Sequence, residues 1–171
     1  MELFEVFNQN GEPLNKVVQR GTKLKQNEFF LVVHVWICNQ KGKYLIQQRA
    51  KKSDPTPYQW ATTTGLPKVN EALEDAARRE TYEELGLDID RSKFEKLREI
   101  TTIDSKYRTI THVFWVSIND QDLVLNLDKN EVKSTRFEPL SNIITMADNG
   151  EFWDYRVLLV DPKYFDFLER R

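Results

Sequence analysis

Three carboxylates crowd one turn of a helix that does not suit them, and this constrains the chain more than any other feature. The stretch Gly65–Leu87 reads GLPKVNEALEDAARRETYEELGL. Its Ala, Leu, Glu and Arg content predicts a helix over about Ala72–Leu85, with Asn70 as N-cap and Gly86 taking the left-handed conformation that ends it. On that helix Glu80, Glu83 and Glu84 stand at i, i+3 and i+4, sharing one face. Like charges at this spacing repel by roughly 0.2–0.5 kcal/mol per pair. They also fall in the last turn, where the helix dipole prefers cations by about 0.3–1 kcal/mol per charge. A hard dication among the oxygens is the compensation the pattern predicts, and carboxylates bridged to substrate phosphates suit Mg²⁺ or Mn²⁺. A solvated acidic face neutralised by Arg78 and Arg79 is the plainer reading of the same residues.

The full spacing decides between them. Gly65, Glu71, Arg79, Glu80, Glu83, Glu84 and Gly86 resemble the Nudix box, G-x5-E-x7-R-E-U-x-E-E-x-G-U with U apolar. At background frequencies of roughly 5–7% per residue, a chance match is on the order of 10⁻⁶. Leu87 meets the final apolar position, Thr81 departs from the other, and Thr64 stands where many relatives carry a second glycine. The resemblance implies an α/β/α sandwich with a mixed β-sheet and one long catalytic helix. It also implies metal-dependent water attack on the pyrophosphate bond of a nucleoside or other diphosphate linked to a group X.

By position, the resemblance implies metal ligation by Glu80, Glu84, Glu83 and the Thr64 carbonyl. Glu80 is the favoured general base, with Glu83 or Glu131 as alternatives, and Arg79 pairs with Glu71 to fix the loop. Gly65 then admits close backbone approach. Substrate contacts are expected from Gly65, Arg49, Lys52, Tyr107 and Glu131, with Mg²⁺ or Mn²⁺ as cofactor.

Two rivals share the fold. The first hundred residues also resemble isopentenyl diphosphate isomerase, but that enzyme needs a Cys shortly after the Trp and a His beyond it. Here Trp60 is followed by Ala-Thr-Thr-Thr-Gly-Leu-Pro67, and Tyr107–His112 holds no carboxylate. A non-catalytic nucleotide-sensing domain is the other rival, and it commonly loses acids that this chain keeps. No G-x-S-x-G elbow, P-loop or G-x-G-x-x-G is present, which removes serine hydrolase, NTPase and dinucleotide oxidoreductase readings.

The remaining chain fits one domain over 1–171. A net charge of −2 gives no global electrostatic reason to bind nucleic acid or an anionic membrane. No apolar run approaches the roughly 20 residues that span a bilayer, and MELFEVFNQN lacks a signal-peptide layout. A single cysteine, Cys38, fits a reducing cytoplasm, and within its apolar strand it reads as a core residue. The expected partner is a small diphosphate, and the resemblance allows a homodimer.

Strands are expected at Leu3–Phe7, near Val17-Val18, at Phe29–Cys38 (buried on both faces), and at Tyr44–Gln48 as its hairpin partner. Further strands are expected at Phe94–Ile103, Ile110–Ile118, Leu123–Leu127 and Ser134–Phe137. Helices are expected at Leu140–Ala147 and Pro162–Glu169, the latter capped by Asp161. His34 and His112 read as packing groups, since two histidines without a third ligand make no zinc site. Trp60 reads as packing the loop before the box. Tyr58, Tyr107, Trp115 and Trp153 are candidate stacking platforms.

Overall fold

The computed structural model describes residues 2–50, 56–104 and 108–171. Lys52 and Tyr107, two of the residues considered above, lie outside them. Strands β1 (Leu3–Phe7), β2 (Pro13–Gln19), β3 (Phe30–Asn39), β4 (Lys43–Arg49), β5 (Trp60–Ala61) and β6 (Thr63–Gly65) come first. Helix α1 (Leu73–Leu85) follows, then β7 (Glu95–Ile103), β8 (Arg108–Ile118) and β9 (Val132–Pro139). The chain closes with α2 (Leu140–Asp148), α3 (Tyr155–Leu158) and α4 (Asp166–Glu169).

The apolar run of β3 is buried on both faces because it lies mid-sheet, and period-2 alternation divides its side chains between two cores. Val33, Val35 and Ile37 pack with Ala76, Ala77 and Leu85 of α1, together with Leu87, Phe94, Phe114 and Val116. Trp36 and Cys38 point the other way, into Tyr44, Ile46, Ile143, Phe152, Tyr155, Tyr164, Phe165 and Leu168. Helix α1 therefore covers one face and α2–α4 the other, giving the expected α/β/α sandwich. The sheet is mixed, in the order β5-β4-β3-β8-β7, with β6 on β3 and β9 on β4. Strands β3 and β8 run parallel from Phe30↔Thr109 to Asn39↔Ile118, and the other pairs are antiparallel. β1 and β2 form a separate hairpin sheet, joined to the rest by mutual backbone bonds of 2.9 Å between Phe7 and Phe29.

One departure from the expected hairpin places the site. β3 and β4 share only the pair Cys38↔Tyr44 before they part. Residues 60–65 enter the gap: Trp60 and Ala61 pair with β4, whereas Thr63, Thr64 and Gly65 pair with β3. Thr62 is where the chain changes partner, and Gly65 leaves this wedge directly into the loop that starts α1.

Other differences have local causes. Asn70 is not the N-cap: it sits at φ +61° in a turn, and Ala72 holds the cap position without a side-chain bond. Glu74 and Asp75 in the first turn meet the helix dipole instead. Thr81 is fully buried, and its hydroxyl is satisfied by donating to the Ala77 carbonyl at 2.8 Å, so the box tolerates it in place of an apolar residue. Leu123–Leu127 forms no strand; this segment and the residue after it serve the end of α1 instead. Asn126 N–H bonds the Leu85 carbonyl (2.9 Å) and Asp128 N–H the Glu84 carbonyl (3.1 Å), capping orphan acceptors at the helix end. Gly86, at φ +73°, lets this segment pass, since a Cβ there would meet the Asn126 backbone nitrogen at 2.8 Å.

The expected Pro162–Glu169 helix is helical only over Asp166–Glu169. Tyr164 and Phe165 before it turn inward, Phe165 edge-on and Tyr164 tilted against Trp36, and edge-on to each other. α3 is an unexpected extra helix, capped by Asp154, which accepts from Arg156 N–H. Among the described residues, no helix is long and apolar enough to cross a membrane.

Candidate functional site

The wedge and α1 bring the acidic residues together around Arg79. Its Nε and Nη2 fork onto the two Glu71 oxygens at 2.7 and 2.8 Å, a bidentate pair that fixes both groups. Nη2 also donates to the Leu66 carbonyl (3.0 Å), and the Lys68 N–H donates to Glu71 (2.7 Å). Together these pin the loop between Gly65 and the helix. Nη1 bridges Glu80 (2.7 Å) and Glu83 (2.9 Å). Burial opposes ionisation of Glu71, but the Arg79 and Lys68 hydrogen bonds outweigh it and hold the carboxyl below its usual range. Burial raises Glu80, and the opposing Arg79 charge does not fully offset it.

Glu84 is different. Arg79 does not reach it; the Gln47 side chain donates to its Oε2 at 2.7 Å instead. Burial pushes its carboxyl up to about 8, against the Gln47 bond, and the Glu80 and Glu131 charges add to the rise. Glu131 thus stands within electrostatic range of the helix face, placed by its own carbonyl accepting the Ala50 N–H at 2.9 Å. Arg49, at the end of β4, is drawn in too: burial lowers its guanidinium, the Glu84 and Glu131 charges partly oppose that, and it stacks 4.4 Å over Trp153.

Gly65 makes the crowding feasible. A Cβ there would fall on the Glu80 carboxyl carbon and Oε1, closer than any van der Waals contact. Glu80 therefore lies flush against the Gly65 backbone, and the glycine serves close approach here. Alanine at 65 is expected to leave the fold intact, because Glu80 is a flexible side chain that can swing aside. On the role that the Nudix-box resemblance implies for Glu80, this displacement should lower turnover by about 10²-fold, measured beside an unchanged melting curve.

Among the described residues, no three acidic, His or Cys side chains stand ready-gathered as a metal cage. The donor set nevertheless fits a hard dication. It is all oxygen, it holds a carboxylate whose burial is offset by no arginine bond, and it abuts a glycine backbone that admits a further oxygen. Ligation needs Glu80 to use the oxygen that Arg79 does not hold.

The remaining candidates sort by position. Trp153 donates to the Thr56 hydroxyl (2.7 Å) beside Arg49, and Lys133 lies 4.8 Å over Tyr58. Trp115 packs instead against the core, under Arg171. Trp60 is half-buried with Arg136 stacked at 4.3 Å. His34 is buried against Tyr164 (2.8 Å) and Tyr155, and burial lowers it to about 3; His112 is lowered to about 4 by the same cause. Both are neutral packing groups near pH 7. Cys38 is buried in the core behind the sheet. Sequence reasoning missed Gln47, Thr63 and Tyr155. Nothing in a strand that reads YLIQQ marks which glutamine will meet an acid 37 residues later.

The family profile described as the NUDIX domain matches residues 28–159. The chain belongs to the Nudix family. An uncharacterised Nudix hydrolase of Listeria monocytogenes is 35% identical over 91% of this chain and 90% of its own. The Nudix fold is seen again in a Deinococcus radiodurans structure (DR0079; TM-score 0.69, 18% identity, 88% of this chain and 91% of that one). It recurs in a bifunctional NMN adenylyltransferase/ADP ribose pyrophosphatase from Francisella tularensis, complexed with AMP and a Mn ion. That match has a TM-score of 0.61 and 21% identity, over 81% of this chain and 42% of that one. Its family profile and its Listeria relative place this chain with the Nudix hydrolases.

The pH response of the metal-free Nudix fold follows from Glu84 with its sign fixed. A carboxyl raised from 4.5 to about 8 stabilises the fold below 4.5, and that contribution is lost as pH rises through 8. The two lowered histidines act oppositely, but only below their unfolded value of 6.5. Between pH 6.5 and 8.5 the melting temperature of the metal-free protein is therefore expected to fall. Differential scanning calorimetry on EDTA-treated protein checks this; a flat or rising profile there contradicts the burial of Glu84.

Proposed function

We propose that the protein hydrolyses the pyrophosphate bond of a nucleoside or other diphosphate linked to a further group X, by water attack at phosphorus with Mg²⁺ or Mn²⁺. The observation that carries this reading is Glu84: a half-buried carboxylate that desolvation holds well above its usual range beside Glu80 and Glu131, with its neighbour Arg79 already committed to Glu71, Glu80 and Glu83. A chain selected only to fold has no use for that charge; one that holds a dication does.

In this reading Glu80, Glu84, Glu83 and the Thr64 carbonyl hold the metal. When bound, it neutralises phosphate charge and makes water a usable nucleophile near neutral pH. The chain's own residues do the rest. Glu80 takes a proton from the attacking water as the new oxygen–phosphorus bond forms, with Glu83 or Glu131 as the alternative base. The bridging bond then breaks, and its electron pair leaves with the departing phosphate. Arg79 and Glu71 hold the Gly65 loop against the substrate, and Arg49 balances phosphate charge from β4. Lys52 and Tyr107 complete the proposed substrate contacts. ADP-ribose is the first substrate to try, since a structural neighbour carries that activity in its name. The same reading extends to one domain over 1–171, acting in the cytoplasm on small molecules and not on nucleic acid or membranes, with a homodimer allowed by the family resemblance.

The isomerase reading finds no catalytic pair in the site: threonines follow Trp60, and Cys38 lies in the core. Turnover on a panel of X-linked diphosphates with Mg²⁺, Mn²⁺ or EDTA, run in ¹⁸O-water, tests the proposal. Metal-dependent label in one product phosphate is expected. Binding without turnover across the panel favours a sensing domain instead.

A further inference from the structure

Gln47 is a buried polar side chain in the otherwise apolar run Tyr44-Leu45-Ile46, only 6% exposed, and its amide bonds link two other elements. Its Nε2 donates to Glu84 Oε2 at 2.7 Å, on α1. Its Oε1 accepts from the Thr63 hydroxyl at 3.4 Å, on β6. Once a dication keeps Glu84 ionised the carboxylate only accepts, so the amide can hold it only with its nitrogen toward Glu84 and its oxygen toward Thr63, the orientation seen here. Thr63 is itself held through its neighbour. The Thr62 N–H and hydroxyl both meet the buried Tyr155 hydroxyl, at 3.0 and 2.9 Å. A chain of hydrogen bonds thus runs from the core behind the sheet, through the point where residues 60–65 change partner strand, to one oxygen of Glu84.

We propose that Gln47 is a positioning residue of the metal site, holding Glu84 by Oε2 so that it offers the metal one oxygen and favours Mg²⁺ or Mn²⁺ over Ca²⁺. The inference rests on Glu84 being a metal ligand, as read above. Small dications demand near-octahedral geometry and take carboxylates through single oxygens, whereas Ca²⁺ accepts chelation by both oxygens at longer distance. A carboxylate with one oxygen bonded to a fixed amide is built for the first kind of ion. Outer-sphere partners of this type commonly change metal affinity by about 10–100-fold when removed.

The test uses the full chain stripped of metal, with Mn²⁺ and Ca²⁺ affinities measured by calorimetric titration for wild type, Q47M, T63V and E84Q. Methionine fills the glutamine's volume without a donor. Q47M is expected to bind Mn²⁺ about tenfold more weakly, to lose less affinity for Ca²⁺, and to lower kcat more than it raises KM for the diphosphate. A purely packing role for Gln47 would not change the Mn²⁺/Ca²⁺ ratio, so a wild-type ratio in Q47M overturns the proposal. If Q47M fails to fold, T63V carries the test: it removes the hydroxyl that holds the amide and also bonds Glu84, a shift of the ratio in the same direction supports the proposal, and no shift overturns it. The underlying reading fails separately, if E84Q binds Mn²⁺ as well as wild type does.

Discussion

Glutamine in place of Glu84 is expected to lower turnover by about 10²–10³-fold and, at the same time, to leave the metal-free protein as stable as wild type or more so. The two effects have one cause. Burial penalises the ionised carboxylate and raises its pKa to about 8, so a neutral side chain of the same shape relieves the fold above that pH. Gln47 can still donate to the new amide oxygen, which keeps the local geometry. The lost charge is felt only when a dication and a diphosphate must be held. A ligand worth roughly 3–4 kcal/mol to the transition state corresponds to that fall in rate. Steady-state kinetics beside calorimetry at pH 8.5 reads both halves. E84Q with wild-type Mg²⁺-dependent turnover removes Glu84 from the mechanism, and loss of both activity and stability makes it merely structural.

Alanine in place of Arg79 should do the opposite, damaging the fold and the activity together. Arg79 ties Glu71, Glu80 and Glu83 together, with Lys68 reaching Glu83 at 3.4 Å, and its side chain is only 17% exposed. Removing one partner from a largely buried ion pair strands the other charges, at about 3–5 kcal/mol. For a chain of this size each kcal/mol moves the melting temperature by about 2–4 °C, so a fall of about 10 °C is expected. Lysine at 79 keeps a charge but cannot fork onto Glu71 or bond the Leu66 carbonyl simultaneously. R79K should therefore recover part of the stability and little of the turnover. Thermal melting and kinetics on R79A and R79K check this, and full rescue of activity by lysine would show that only the charge matters.

How much of this was legible beforehand depends on whether the deciding interactions are local in sequence. The α1 face was readable because helical spacing alone gathers Glu80, Glu83 and Glu84, and the box spacing tied Glu71 and Gly65 to them. β3 was readable because an uninterrupted apolar run can only be central. The early parting of β3 and β4 was not, since it depends on residues 60–65 entering the sheet, and a threonine-rich stretch before a glycine reads equally as loop. Leu123–Leu127 alternates like a strand, but the N–H groups of Asn126 and the adjacent Asp128 are claimed by carbonyls that end α1, a competition no local pattern reveals. Asn70 looked like a cap because Asn favours caps, yet it also favours the left-handed turn it occupies. Gln47 was invisible for a related reason: its significance lies wholly in Glu84, which comes to it across the sheet.

The central claim is that the acids beside Gly65 are held together to grip a dication on a diphosphate. Anomalous diffraction from crystals soaked with Mn²⁺ and a non-hydrolysable X-linked diphosphate tests it most directly. The account predicts a manganese peak bonded to Glu80 and Glu84, with Gln47 still donating to Glu84. An empty site, with diphosphate bound elsewhere and Glu80 still paired only to Arg79, would contradict it.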